Sequence, residues 1–358
     1  MIDNDYSLKQ IYNYLISVTY NYSFIVVFIA ACLDYLIGDP WSWPHPVKVM
    51  GWIITHYTQL IFQLSKHHRD NLPALILRLL GILLAVALVF GSGIISWLIF
   101  QALRINFVQF PLFTVILESI LLASCFAGKS LNAAAKDVLQ PVVSGNLIQA
   151  RQKLSLYVGR DTENLSISEI FRAVLETITE NATDGVIAPL FYALVGAIIP
   201  NVGSVPLAFA YKAASTLDSM VGYKEAPYTD LGWFSAKLED VLTWLPCRLN
   251  VLTIAFLSGK PLYVWRICQR DAVKDPSPNA GWSECAYAAT LGVQMGGANS
   301  YKGVVKHKPL LGDATHPITP ETIDRALRLT RYCFLIWLGL SVISYHLSVI
   351  SSEITFNF

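Results

Sequence analysis

Charge is what this 358-residue chain has least of. Asp, Glu, Lys and Arg make up only 14% of it, while hydrophobic residues make up 54%; an ordinary soluble domain carries roughly 25% charged residues. That scarcity argues against a soluble globule and for an integral membrane protein. No long run of one sign occurs and the formal net charge is +1, which leaves no electrostatic footprint for nucleic acid. The six cysteines, Cys32, Cys125, Cys247, Cys268, Cys285 and Cys333, form no CxxC pair, so neither a zinc site nor a disulfide framework is indicated. They read as small buried hydrophobes. The seven histidines include His67-His68 but no HxxxH pair, so a transition-metal centre is not indicated either. Gly128-Lys129-Ser130 resembles the end of a phosphate-binding loop, but the required earlier glycine is Ala123. The first 22 residues set Asp3 and Asp5 against Lys9, the wrong charge pattern for a signal peptide. The first apolar segment is therefore expected to stay in the mature protein.

What the chain has instead is apolar runs. Segments 23–37, 73–103, 111–128 and 332–350 approach or exceed the roughly 20 mostly apolar residues of a spanning helix. Stretches 186–214 and 241–258 are also apolar but are broken by Pro189, Pro200, Pro206 and Pro246. Four to six membrane segments are expected. Lys48, Lys66 and Arg69 follow the first span, and Lys129, Lys136, Arg151, Lys153, Arg160 and Arg172 follow the third. The basic bias of these stretches and of 260–331 predicts that all three face the cytoplasm. The preferred arrangement makes 186–214 a hairpin and lets 241–258 rest in the membrane. Strand-period alternation is scarce and no repeat is visible, so the expected fold class is all-α. Residues 1–358 form one integral-membrane domain in this reading, with cytoplasmic loop regions at 38–72, 129–185 and 259–331.

Polar residues cluster at the ends of these runs. ETITENATDG at 176–185 places three carboxylates and an amide directly before an apolar stretch. Ser166 followed by Glu169 is a capping box that starts a helix, and Asp184-Gly185 is a stop signal. On that helix Glu169, Arg172, Glu176, Glu180 and Asp184 share one face, and Ile167, Ile170, Phe171, Val174, Leu175 and Ile178 the other. The same letters also describe a solvated face with Arg172 bridging Glu169 and Glu176. Downstream, AYKAASTLDSMVGYK sets Lys212 in an apolar run, with Thr216 and Ser219 on its face and Asp218 close by. It reads as an oxyanion clamp or as a lysine snorkelling to the interface. DLGWFSAKLEDVLTWLPCRL adds Asp230, Lys237, Glu239, Asp240 and Arg248, a mixture suited to Mg²⁺ and phosphate or to salt-bridged interfacial helices. Three polar loops complete the set. One is DYLIGDPWSWPHPVKVMG, with Asp34, Asp39 and His45. Another is DAVKDPSPNAGWSE, with Asp271, Asp275, Ser277 and Asn279, and the last is the Gly-rich GVQMGGANSYKG.

Together, and in their order along the chain, these motifs resemble the adenosylcobinamide-phosphate synthase family of cobalamin biosynthesis, from about residue 33 to 312. Two positions depart from the family pattern: Glu239 stands where the family's basic-Leu-Asp-Asp string has its first Asp, and Thr243 where an Asn is common. The resemblance implies a multi-pass protein of the cell (inner) membrane with its active site facing the cytoplasm. It implies ATP- and Mg²⁺-dependent amide formation between the corrinoid adenosylcobyric acid and aminopropanol or its phosphate. Other late-pathway cobalamin enzymes are expected as neighbours. Carried onto this chain, it implies Glu176, Glu180, Asp184, Lys212 and Asp218 as catalytic residues. Arg160, Arg172, Asn181, Lys237, Arg248, Ser277 and Asn279 would bind substrate or phosphate, and Glu180, Asp184 and Asp240 would hold Mg²⁺. A transporter built on broken helices is the alternative, but it predicts charges in the middle of spans, whereas most here sit at segment ends.

Overall fold

The computed structural model describes residues 22–38, 45–67, 72–107 and 109–356, the last helix by backbone alone beyond residue 343. The first 21 residues, Asp39 with the rest of the proline-rich turn to Pro44, and His68 and Arg69 lie outside the described residues. The fold is all-α, as expected, with a single short β-hairpin among the described residues.

Among the described residues, five helical stretches are long and apolar enough to cross a membrane: Ala74–Asn106, Pro111–Val143 (with a turn between Ala123 and Gly128), Ile167–Ile198, Trp233–Leu257 and Pro320–Ile343, with Tyr22–Leu36 as a shorter apolar helix. The count agrees with four to six segments, but the partition differs from the expected one. Residues 241–258 belong to one uninterrupted 25-residue helix, because Pro246 is tolerated inside it. Two of the long helices also run into 129–185, where helical loops are expected.

The chain folds as two compact units. The first comprises residues 1–126, 189–239 and 336–358. Its described helices are α1 (Tyr22–Leu36), α2 (Pro46–His67), α3 (Ala74–Asn106), α4 (Pro111–Ala123), most of α8 (Ala188–Ile198) and α9 (Ser204–Val221). Small residues let its backbones approach: a Cβ on Gly81 would lie 2.0 Å from the Leu231 carbonyl oxygen. Stretch 186–214 has the expected hairpin shape, since α8 and α9 meet at a tight turn. Gly203 there has φ +87°, and a Cβ on Gly196 would lie 2.3 Å from its carbonyl oxygen. Arg104 of α3 pairs at 2.8 Å with the buried Glu118 of α4.

The second unit comprises residues 127–188 and 240–335. It contains α5 (Gly128–Val143), α6 (Leu147–Leu154), α7 (Ile167–Asn181), most of α10 (Trp233–Leu257), α11 (Pro261–Asp271), α12 (Ala280–Leu291) and the start of α13 (Pro320–Phe356). Antiparallel strands β1 (Met295–Tyr301) and β2 (Val304–Leu311) form its hairpin. The core is built where α7 packs on α12 and α12 on α11, around Ile170, Leu175, Ile178, Val264, Ala286 and Tyr287.

The expected stop at Asp184-Gly185 is not taken. The helix continues through a π turn, Ala182–Ile187, into α8. Pro189 explains the widening, because it has no N–H to give the Gly185 carbonyl four residues back. That carbonyl accepts instead from the Ala127 N–H at 2.9 Å.

Of the cysteines, all reduced, Cys125, Cys247, Cys268, Cys285 and Cys333 are buried as expected, whereas Cys32 is exposed.

Candidate active site

Helix α7 starts as the sequence predicts. Ser166 caps it by accepting from the Glu169 N–H, and the Glu169 carboxylate accepts from the Ser166 N–H at 2.7 Å. Glu169 is thereby committed to capping rather than to a row of free carboxylates. About two turns on, Glu176 is not presented to solvent at all: it is 1% exposed. Its Oε2 accepts from Arg160 at 2.5 Å and its Oε1 from the Gly296 N–H at 2.9 Å. The ion pair expected between Arg172 and its helix neighbours is thus replaced by one with Arg160, from the loop before the helix.

Arg172 instead reaches the hairpin. It donates to the Gly296 and Ala298 carbonyls and, at 3.2 Å, to Asn299 Oδ1, which also accepts from Arg160 at 2.9 Å. Two arginines, one carboxylate and one amide therefore fasten α7 to β1. Asp161 fastens the far end, accepting from Ser300 Oγ and from the Lys302 and Gly303 N–H groups of the β-turn. These donors hold its carboxyl below the usual carboxylate range. Gly296 makes the staple possible. With φ +88° at a bulge between Met295 and Gly297, it turns its N–H onto Glu176, and a Cβ there would fall 1.9 Å from the Pro309 carbonyl oxygen.

The hairpin brings Lys308 of β2 to α12, where its Nζ lies 3.9 Å from Oε1 of Glu284. Glu284 is 0% exposed, and among the described residues neither of its carboxylate oxygens has a hydrogen-bond donor. Burial pushes its carboxyl well above the usual range; Lys308 opposes that shift, while Glu180, Glu176 and Asp275 add to it. Burial alone would lower the Lys308 ammonium, but the same four carboxylates outweigh it and raise its affinity for the proton. Glu180 of α7, Glu284 of α12, Asp275 of the loop before α12 and Lys308 of β2 thus form one electrostatic cluster.

The remaining candidates are placed as follows. Asn181 is exposed at the end of α7, donating to the Thr177 carbonyl. Asp184 is half-buried in the π turn, off the regular α row. Ser277 Oγ accepts from the N–H groups of Asn279 and Ala280 at the start of α12. Asn279 donates to the Asp240 carbonyl, and Arg248 donates to the Pro278 carbonyl while stacking on Trp282. These last contacts hold the 275–279 loop against α10. Lys212 and Asp218 lie half-buried on α9 and Lys237 is exposed on α10, all in the first unit. The predicted face-sharing of Lys212 and Thr216 is realised as a bond from Thr216 Oγ1 to the Lys212 carbonyl at 2.7 Å.

Among the described residues, no three His, Cys, Asp or Glu side chains stand close enough together to hold a metal ion. Mg²⁺ is commonly held by one or two carboxylates together with substrate phosphates, so Glu180, Asp184 and Asp240 remain candidates for that role rather than a closed cage.

Sequence reasoning missed Glu284 and Lys308. The signal for the first was a lone carboxylate in the small, apolar run CAYAAT and its flank. Lys308 carried no signal, because KHK reads as a solvated loop until the strand pairing is known.

The chain matches the family described as "CobD/Cbib protein" over residues 27–330. It belongs to that family. It is 53% identical over 331 residues to "Cobalamin biosynthesis protein CobD" of Synechocystis sp., covering 92% of this chain and 94% of that protein. The protein of that name from Halalkalibacterium halodurans is 40% identical over 324 residues (88% and 95%), and "Cobalamin biosynthesis protein CbiB" of Salmonella typhi 40% over 306 (84% and 91%). No solved structure matches the chain. The CobD/Cbib match takes in the whole stapled cluster, from Arg160 to Lys308.

Proposed function

We propose that this CobD/Cbib member is a multi-pass membrane enzyme of cobalamin biosynthesis. It closes an amide bond between a carboxylate of adenosylcobyric acid and the amine of 1-amino-2-propanol or its O-2-phosphate. The observation that carries the reading is the family match over 27–330, within which Glu180, Asp275, Glu284 and Lys308 gather from four separate segments.

A carboxylate is a poor acyl donor, and ATP with Mg²⁺ on its phosphate oxygens supplies the activation when bound. Glu180, Asp184 and Asp240 are the carboxylates that would hold the ion beside those phosphates. Lys308 offers a cation where phosphoryl or carboxylate oxygens would accumulate charge. Glu180, half-buried one turn beyond Glu176, and Asp184 of the π turn are the carboxylates assigned to the substrates. Arg160, Glu176, Arg172 and Asn299 act as positioning residues: Arg160 and Arg172 donate to Asn299 Oδ1, and Glu176 accepts from Arg160 and the Gly296 N–H. Asn181, Arg248, Ser277 and Asn279 border the same unit and shape its loops. Lys212, Asp218 and Lys237 belong to the first unit, and the mechanism does not use them. The basic stretches in 129–185 and 259–331 support a cytoplasmic active site within a single membrane domain.

The experiment is reconstitution. Purified protein in detergent, given adenosylcobyric acid, 1-amino-2-propanol phosphate, ATP and Mg²⁺, forms adenosylcobinamide phosphate detectable by mass, and a tube without ATP forms none. Glu180→Gln abolishes turnover while leaving insertion intact; full activity in that variant removes the assignment.

A further inference from the structure

A buried charge imbalance remains after the staple is accounted for. Glu176 is neutralised by Arg160, which leaves Glu180, Asp275 and Glu284 facing a single ammonium, Lys308. That ammonium stands 3.9 Å from Glu284, beyond hydrogen-bond distance, so both oxygens of a fully buried carboxylate go without a donor. Leaving such a group unsatisfied is costly, and the fold keeps it so while giving the neighbouring Glu176 a donor on each oxygen. The arrangement lacks a cation with hydrogen-bond donors.

We infer that Glu284, with Glu180 and Asp275 around it, binds the primary ammonium group of the amine substrate and takes the proton it must lose before attack. The inference rests on the amide-forming reading and names the half of the reaction this cluster serves. A primary ammonium brings three donors that swivel to meet loosely spaced acceptors. Mg²⁺ demands near-octahedral oxygens at roughly 2.0–2.1 Å, and among the described residues no three His, Cys, Asp or Glu side chains stand close enough to offer them. Lys308, 31% exposed, marks the side from which a small amine reaches Glu284. One N–H proton passes to Glu284, giving a neutral amine and a carboxylic acid. The nitrogen lone pair then forms the C–N bond at the activated acyl carbon. The C–O bond to the phosphate leaving group breaks with its electron pair, and the second N–H proton leaves with that phosphate. A carboxyl held above its usual range by burial and by Glu180, Glu176 and Asp275 is matched to accept a proton from an amine.

The test measures binding of 1-amino-2-propanol phosphate and of adenosylcobyric acid to the purified full chain in detergent, for wild type, Glu284→Gln and Glu284→Asp. Glu284→Gln weakens the amine by about ten- to a hundredfold, as expected for losing hydrogen bonds to a charged partner. Glu284→Asp recovers part of that loss, and corrinoid affinity stays within about twofold. Unchanged amine affinity overturns the inference, as does an equal loss of both ligands or a loss that added Mg²⁺ restores. A second measurement needs no variant: 1,2-propanediol 2-phosphate, with hydroxyl in place of amine, binds wild type at least about tenfold more weakly, and equal affinity overturns the ammonium site. Turnover keeps the two readings apart. Amide formation by wild type with an unaltered amine KM in Glu284→Gln sinks only this inference, whereas amine binding without amide formation sinks only the reaction.

Discussion

Glu176 and Glu284 are both buried carboxylates, and the chain treats them in opposite ways. Glu176 has an arginine on one oxygen and a backbone N–H on the other; Glu284 has neither. The first is therefore architecture. Replacing Arg160 with Met leaves an uncompensated buried carboxylate, and breaking such a pair costs about 3–5 kcal/mol. Expected is a large fall in thermal stability in detergent, with Arg160→Lys intermediate because an ammonium cannot serve both Glu176 and Asn299 with a planar fork. Glu284 should behave inversely. Its carboxyl is raised in the fold, so the folded state holds its proton more tightly than the unfolded chain does. Its stability contribution is present below the unfolded carboxylate range and is lost as pH rises through the higher folded value, where the charge must be carried against Glu180, Glu176 and Asp275 and with Lys308. Glu284→Gln is accordingly expected to raise Tm by a few degrees at pH 8 and to leave it unchanged near pH 4. A Tm gain confined to acid pH contradicts this account.

At the scale of elements, the hairpin is what makes a site of separate segments. β1 is bound to α7 through Glu176 and Arg172, and β2 carries Lys308 to α12. The hinge of this arrangement is Gly296, whose positive φ and lack of Cβ allow the bulge. Gly296→Ala combines backbone strain of about 1–3 kcal/mol with a clash against the Pro309 carbonyl. It should raise hydrogen exchange across 295–311 while leaving α3 and α9 protected. Exchange unchanged in the hairpin refutes its role as a hinge. The helices themselves were legible in the sequence: the Ser166–Glu169 box and the apolar runs fixed their positions from local rules. The hairpin was not, because MGGANSY and VVKHKPLL lack strict alternation and their pairing depends on Asp161 and on α7, both distant in sequence. The continuation past Asp184-Gly185 was likewise hidden, since Pro189 is rescued by an N–H from Ala127, sixty residues upstream.

For the whole molecule, low charge and long apolar runs were enough to read a polytopic all-α protein, and six ordered motifs were enough to read its family. The sequence also set its candidate site on α7 with the carboxylates as a free row, whereas Glu169 caps the helix and Glu176 pairs with Arg160. Tertiary pairing decides which of them remain available, and it brings in Glu284 and Lys308 from elsewhere. The proposed topology makes a further prediction. With Cys32 replaced by Ser, single cysteines at Lys153 and at Lys306 are both expected to react with a membrane-impermeant maleimide only from the cytoplasmic side; labelling from opposite sides contradicts one shared compartment.

The central claim, that the acidic cluster of the second unit joins an amine to a corrinoid carboxylate, is tested most directly by a single-turnover mass measurement. The measurement uses purified wild type and Glu180→Gln with adenosylcobyric acid, 1-amino-2-propanol phosphate, ATP and Mg²⁺. The account predicts the amide product from wild type and none from Glu180→Gln, with both proteins binding corrinoid alike. Equal product from the two proteins would contradict it.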